Sequence, residues 1–208
     1  TSAVSIAAWV KGTITGKNAY VFDRLEINDG YGLLLTSTGN LRFSINGGQS
    51  WATSSQVVAD NQWHHVAGTY DRNTGAVNIY IDGVIAGTSS FSSSMTYTPE
   101  PRNGIGGTGQ IGTNSFFNGS MDEIRVYNRA ISLCEIQYLA GIQTAPTNGL
   151  IAYFPFTGNA ADSSGLGNNG VPTNGASLTT DRFNTPNKAY AFDGVDDYIG
   201  NGVYPNPL

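Results

Sequence analysis

A chain of 208 residues with 39% apolar and only 12% charged residues can bury one sizeable core, and all-β sandwiches of this length commonly fold as single units. Its formal charge of −5, from 10 basic and 15 acidic residues, excludes the clustered basic surface that nucleic acid or an anionic membrane would require. The lone cysteine, Cys134, excludes an internal disulfide and a cysteine-rich metal centre, and no stretch is long and apolar enough to span a bilayer.

Glycine is abundant (27 residues), as many short strands joined by tight turns would demand. With neither an initiator methionine nor a signal peptide, the chain is expected to be an excised piece or mature product, tethered to other domains of a longer parent.

Residues 3–11 alternate as a strand, with Val4, Ile6, Ala8 and Val10 on one face and Ser5, Ala7, Trp9 and Lys11 on the other. Tyr20 to Ile27 reads as a second strand. Segments 31–36 and 41–46 flank Ser37-Thr38-Gly39-Asn40 as a hairpin, and 63–71 and 76–81 flank Arg72-Asn73-Thr74-Gly75 as another. Asp82-Gly83 then marks a type I′ turn into 84–88, which completes a three-strand meander.

Residues 89–104 read as a long loop, with a short strand expected around Gln110-Ile111. A further strand runs from Met121 to Tyr127, with Asp122, Ile124 and Val126 expected on one face. One helix follows. Ser132 is its N-cap, Glu135 the reciprocal capping-box partner, Ile131 and Ile136 the hydrophobic staple, and Gly141 the C-cap. Residues 141–148 read as a linker. Strands are expected at 150–156, 188–193 and 196–199, with a loop through about 177.

Several of these stretches together resemble the laminin-G-like, concanavalin-A-like jelly-roll domains: Ser5–Val10, Gln62–Asp71, Val77–Gly83, Phe117–Ala130, Leu150–Gly165 and Ala191–Ile199. The resemblance implies an all-β, antiparallel β-sandwich of jelly-roll type with one short helix. The order departs from the family, in which elements like 150–199 precede those like 3–140. Two explanations compete: a boundary cut through tandem repeats, or a circular permutation. An orphan fragment of two or three strands would expose unpaired edges. The favoured expectation is one domain over 1–208: 1–140 supplies middle and last strands plus the helix, and 149–208 the first strands. A strand-swapped dimer would satisfy the same edges.

The loop Gly158–Gly165 offers oxygens suited to calcium, which takes six to eight such ligands. The resemblance places Asp162 near Asp122, with a structural Ca²⁺ held by Asp162, Asn159 and Asp122. The other reading has Asp162 closing an Asx-turn and Asp122 accepting backbone hydrogen bonds. Asp193, Asp196 and Asp197 crowd one turn without an EF-hand pattern. His64 and His65 point to opposite faces of a strand and cannot easily share a metal.

The four glutamates form no alternating cluster of the glycosidase kind, and there is no nucleophile elbow, HExxH helix or phosphate loop. Binding is the better-supported role. Trp51 lies in a polar stretch, where an indole flanked by amide and guanidinium groups suits sugar recognition. Tyr31, Arg42, Gln49 and Phe116 are its expected companions. The other reading of Trp51 is a plug at one end of the sandwich. The chain is thus expected to be a non-catalytic, Ca²⁺-stabilised module of a secreted or cell-surface protein that binds a polysaccharide or other glycan. A structural or adhesive spacer is the alternative, and a polysaccharide-degrading enzyme a third.

Overall fold

The computed structural model describes residues 2–26, 29–96, 103–107, 115–141 and 149–200, apart from the side chain of Glu26. The strand expected near Gln110-Ile111, the linker beyond Gly141 and residues 201–208 lie outside the described residues.

From the first part of the chain come β1 (Ala3–Gly12), β2 (Ala19–Glu26), β3 (Asp29–Leu35), β4 (Asn40–Ile45), β5 (Ser50–Val57), β6 (His64–Asp71), β7 (Ala76–Ile81), β8 (Val84–Ser90), β9 (Gly104–Ile105) and β10 (Asn118–Tyr127). After α1 (Leu133–Gly141) follow β11 (Leu150–Phe154), β12 (Val171–Thr173), β13 (Ser177–Thr179), β14 (Ala189–Asp193) and β15 (Tyr198–Gly200). Two antiparallel sheets result. The eight-stranded one runs β13-β14-β10-β1-β6-β7-β8, with β11 also on β10; the seven-stranded one runs β12-β15-β9-β2-β3-β4-β5.

The alternation read in β1 holds: Val4, Ile6, Ala8 and Val10 enter a core shared with Phe43 and Leu33 of the facing sheet and with Phe154, Phe156 and Phe192 from the tail. Gly68 on β6 is required by that packing, because a Cβ there would stand 2.4 Å from Phe43 Cγ. The meander β6–β8 follows the expected boundaries, and Asp82 (φ 50°) and Gly83 (φ 76°) both take the left-handed backbone of a I′ turn.

The tail strands share the sheets of the body. β10 is long enough to receive two of them on one edge: Asn118–Met121 pairs with β14 and Ile124–Tyr127 with β11, while β1 runs along the other edge. Between the two docking segments sits a β-bulge. Glu123 adopts φ 57°, and the register with β1 slips between Ala7↔Arg125 and Trp9↔Asp122. The bulge corrects the facing expected for this strand. Met121, Ile124 and Val126 enter the core, whereas Asp122 opposes Trp9 on the outer face of the sheet.

β5 was not expected, since Ser50-Trp51-Ala52-Thr53-Ser54 reads as a polar stretch. Its inward residues are small because β5 closes against β8: Ser50 Oγ donates to Ser90 O at 3.1 Å, and a Cβ on Gly87 would lie 2.7 Å from Thr53 O. The short β12, with Pro172 at a sheet edge, also falls where a loop was expected.

α1 packs Ile136 and Leu139 onto Ala7, Ala67, Tyr80 and Tyr127 on the outer face of the eight-stranded sheet. Its capping box is formed as expected, with Ser132 N donating to Glu135 Oε2 (2.7 Å) and Glu135 N to Ser132 Oγ (3.3 Å). Trp9 Nε1 donates to Leu139 O at 3.2 Å and so satisfies a carbonyl of the last helical turn.

A Phe154→Ala substitution removes a fully buried ring from the shared core. It is expected to cost about 3–5 kcal/mol. Urea unfolding followed by tryptophan fluorescence and by far-UV circular dichroism should show one coincident transition at a lower midpoint.

Candidate functional site

The outer face of the seven-stranded sheet carries the most exposed tryptophan environment the sequence analysis singled out. Strand alternation sends Leu41, Phe43 and Ile45 of β4 into the core and turns Arg42 and Ser44 outward. On β5, Ala52 points in while Trp51 and Thr53 point out. The pairings Arg42↔Thr53 and Ser44↔Trp51 bring these side chains together, and Leu34↔Arg42 and Tyr20↔Leu34 continue the row to β2.

Trp51 is 45% exposed, so it is not a plug in the sandwich. The Arg42 guanidinium lies over its ring, 5.3 Å from the centroid, and Arg42 Nε donates to Thr53 Oγ1 at 3.0 Å. Tyr20 completes the face. Burial first, and then the nearby Asp23 carboxylate, push its phenol up to about 12, with Arg42 acting the other way, so it remains a neutral hydroxyl. Tyr20 was missed by sequence reasoning, although its place opposite the core residues Ala19 and Val21 could have flagged it.

Of the expected companions of Trp51, Arg42 stands beside it. Gln49 is exposed in the turn leading into β5, where its N–H donates to Asn46 O at 3.1 Å. Tyr31 does not belong to this face. It alternates with Leu33 and Leu35, is fully buried, and stacks on Phe22 with centroids 6.1 Å apart. Phe116 is also elsewhere: it covers Gly107, whose Cβ would meet its ring at 2.7 Å, beside Tyr198 of β15.

The outer face of the other sheet holds a dense titratable cluster beside α1. Asp122 is paired with Arg182 Nη1 at 2.5 Å, and the same guanidinium lies over the rings of Trp9 (4.8 Å) and Phe183 (4.5 Å). Glu123 pairs with Arg125 and accepts the Tyr153 hydroxyl at 3.0 Å. Burial pushes the Asp122 carboxyl up to about 7 despite Arg182. His65, edge-on to Trp9 at 5.6 Å, is driven down to about 3 by burial, with Arg125 and Arg182 adding to the effect, so it is neutral at physiological pH.

Asp162 is saturated by its own loop. Oδ1 accepts Tyr153 N (2.9 Å) and Ser164 N (2.8 Å), and Oδ2 accepts Ser164 Oγ (2.8 Å) and Asn168 N (2.9 Å). Asn159 Oδ1 accepts Ala161 N at 2.9 Å. Asp162 therefore closes an Asx-type turn, and Asp122 takes the expected backbone donor, from Glu123, together with the Arg182 guanidinium.

A different acidic group has the spacing that can hold a metal ion. Asp193, Asp196 and Asp197 bring carboxylate oxygens within 4.8 Å of one another. Asp197 Oδ2 accepts Asp193 N at 3.0 Å, but its Oδ1 has no hydrogen-bond partner among the described residues although the residue is only 4% exposed. A Cβ on Gly175 (φ 126°) would stand 2.8 Å from that oxygen. Burial, and then the like charges of Asp193 and Asp196 acting against the Asp193 N–H donor, raise the Asp197 carboxyl above its ordinary range. An uncompensated buried oxygen among like charges is what a cation relieves.

Comparison with known proteins places these faces in context. The sequence profile of the concanavalin A-like lectin/glucanases superfamily (laminin-G type) matches residues 1–137. The mouse pentraxin-related protein PTX3 is 21% identical over 154 residues, which cover 70% of this chain and 40% of that protein. Among solved structures, a Bacteroides ovatus protein described as a candidate carbohydrate binder superposes with a TM-score of 0.61 at 19% identity, over 97% of this chain and 52% of its own. A heptameric SAP-like pentraxin of Limulus polyphemus superposes with a TM-score of 0.53 at 16% identity, over 72% of this chain and 76% of its own. This chain thus spans about half, or less, of the mouse and Bacteroides proteins.

The Asp122 carboxyl holds its proton to about pH 7 in the fold but loses it near 3.8 when unfolded, so this group lowers stability as pH rises between those values. Removing its cation should matter only where it is ionised. Arg182→Met is expected to cost on the order of 2 kcal/mol at pH 8 and clearly less at pH 5, read by denaturant titration at both pH values.

Proposed function

The chain belongs to the concanavalin A-like lectin/glucanases superfamily, and from that premise we propose that it is a non-catalytic carbohydrate-binding module of a secreted or cell-surface protein. The glycan is gripped on the outer face of the seven-stranded sheet. The observation that carries this reading is Trp51: an indole 45% exposed, flanked by a guanidinium that Thr53 holds in place. Aromatic planes stack on the C–H faces of sugar rings, and neighbouring polar groups fix the hydroxyls. The Bacteroides protein described as a candidate carbohydrate binder, which shares the fold across nearly the whole chain, supports the same role.

Catalysis is not proposed. The bulge puts Asp122 and Glu123 on one side of the sheet, but each carboxyl is engaged by an arginine. A glycosidase presents both carboxyls to the scissile bond of its substrate, whereas Asp122 is buried. A binding module would act by targeting, raising the local concentration of tethered domains on a glycan through several weak contacts.

The calcium reading is carried by the Asp193–Asp197 turn, whose Oδ1 orphan on Asp197 lacks a donor, and not by Asp162 and Asp122, whose carboxylates already have theirs. Calcium there would tie the β14–β15 turn together and neutralise its clustered charge.

Trp51→Ala is expected to abolish retention on polysaccharide-containing native gels while leaving the melting temperature unchanged; wild-type protein unretarded on every plant, algal and host glycan would favour a spacer role. EDTA is expected to lower the melting temperature and Ca²⁺ to restore it, with Asp197→Asn insensitive to both; an EDTA-insensitive wild type removes the metal.

A further inference from the structure

We infer that the ligand of the Trp51 face is an anionic glycan, one bearing carboxylate or sulfate groups, bound by the Arg42 fork against the indole. This rests on the glycan-binding reading of that face and narrows it.

The indole face nearest Arg42 is already covered, since the guanidinium lies over it at 5.3 Å. A neutral pyranose stacking there would have to displace the cation and forfeit the cation–π contact. An anionic sugar gains from the cation where it stands. The guanidinium is also pre-set for this. Its Nε is spent on Thr53 Oγ1 at 3.0 Å, which holds its plane, and no carboxylate among the described residues pairs with it. Arg125, Arg129 and Arg182 differ: each has a carboxyl group as partner, in Glu123, Glu135 or Asp122. In a chain of net charge −5, Arg42 is thus a guanidinium with no carboxylate partner among the described residues, braced on an exposed tryptophan. Its two Nη groups offer the parallel donors that match two oxygens of a carboxylate or sulfate. Tyr20, two strands away in the same row, adds a neutral hydroxyl within the span of a neighbouring sugar.

The test is affinity electrophoresis and calorimetry of the full chain against polygalacturonate, a sulfated galactan, and neutral dextran and xylan. The expected result is retardation by one or both acidic polymers and none by the neutral ones; the polymer that binds identifies the group as carboxylate or sulfate. Arg42→Lys keeps the charge but loses the fork, and it should weaken the acidic polymer about tenfold with an unchanged melting temperature. Retention of dextran or xylan that is lost in Trp51→Ala but kept in Arg42→Lys would overturn this inference and leave the glycan reading standing. Acidic binding that Arg42→Lys leaves intact would also overturn it. No retention by any polymer would remove the glycan reading itself.

Discussion

One extra residue in one strand governs where everything else sits. β10 must accept β14 along its first half and β11 along its second, and the bulge at Glu123 lies at the change of partner. A regular strand would have kept Asp122 in phase with Ile124 and Val126 and so sent a carboxylate into the apolar layer. The left-handed backbone of Glu123 shifts the phase. Met121 and Ile124 both stay inside, and the two acidic side chains meet the arginines outside. The backbone strain at a non-glycine residue is offset by a continuous core and by the ion pairs it permits.

The two outer faces have been put to different uses. On the eight-stranded sheet, charge is compensated almost group by group: Arg129 with Glu135, Arg125 with Glu123, Arg182 with Asp122, all beside a helix that covers the remaining apolar surface. That face is closed. On the seven-stranded sheet an arginine and a tryptophan stand together, with no carboxylate paired to that arginine among the described residues, on strands whose inner sides are committed to the core. A rigid β4–β5 platform lets those side chains be held in place without a loop to order on binding.

Local signals in the chain were read well and long-range ones were not. The helix could be bounded from Ser132, Glu135 and Ile136 because a capping box is a contact between near neighbours in sequence. The meander was legible for the same reason, through Asp82-Gly83. β5 was not, since its small inward residues reflect the approach of β8, some thirty residues on, which no periodicity reports. The bulge escaped because it answers to partners that come from the other end of the chain. Trp51 and Arg42 share a face that alternation could have predicted, and the same alternation would have removed Tyr31, which falls in step with Leu33. The saturation of Asp162 by Ser164 and Asn168 was open in the sequence as one of two readings, and only the folded loop decides between them.

As the surplus residue of a bulge, Glu123 marks a point inside a strand where the chain is one residue longer than its partner requires. Deleting it would straighten β10 without changing its phase, because Asp122 would stay outward and Ile124 and Val126 inward, in register with β1. The loss would fall outside the core, on Arg125 without its carboxylate partner and the Tyr153 hydroxyl without its acceptor. Insertions and deletions are ordinarily absorbed by loops in sandwiches of this kind. Here the surplus residue lies mid-strand, and what depends on it is the pairing of charges outside the sheet, not the packing within it.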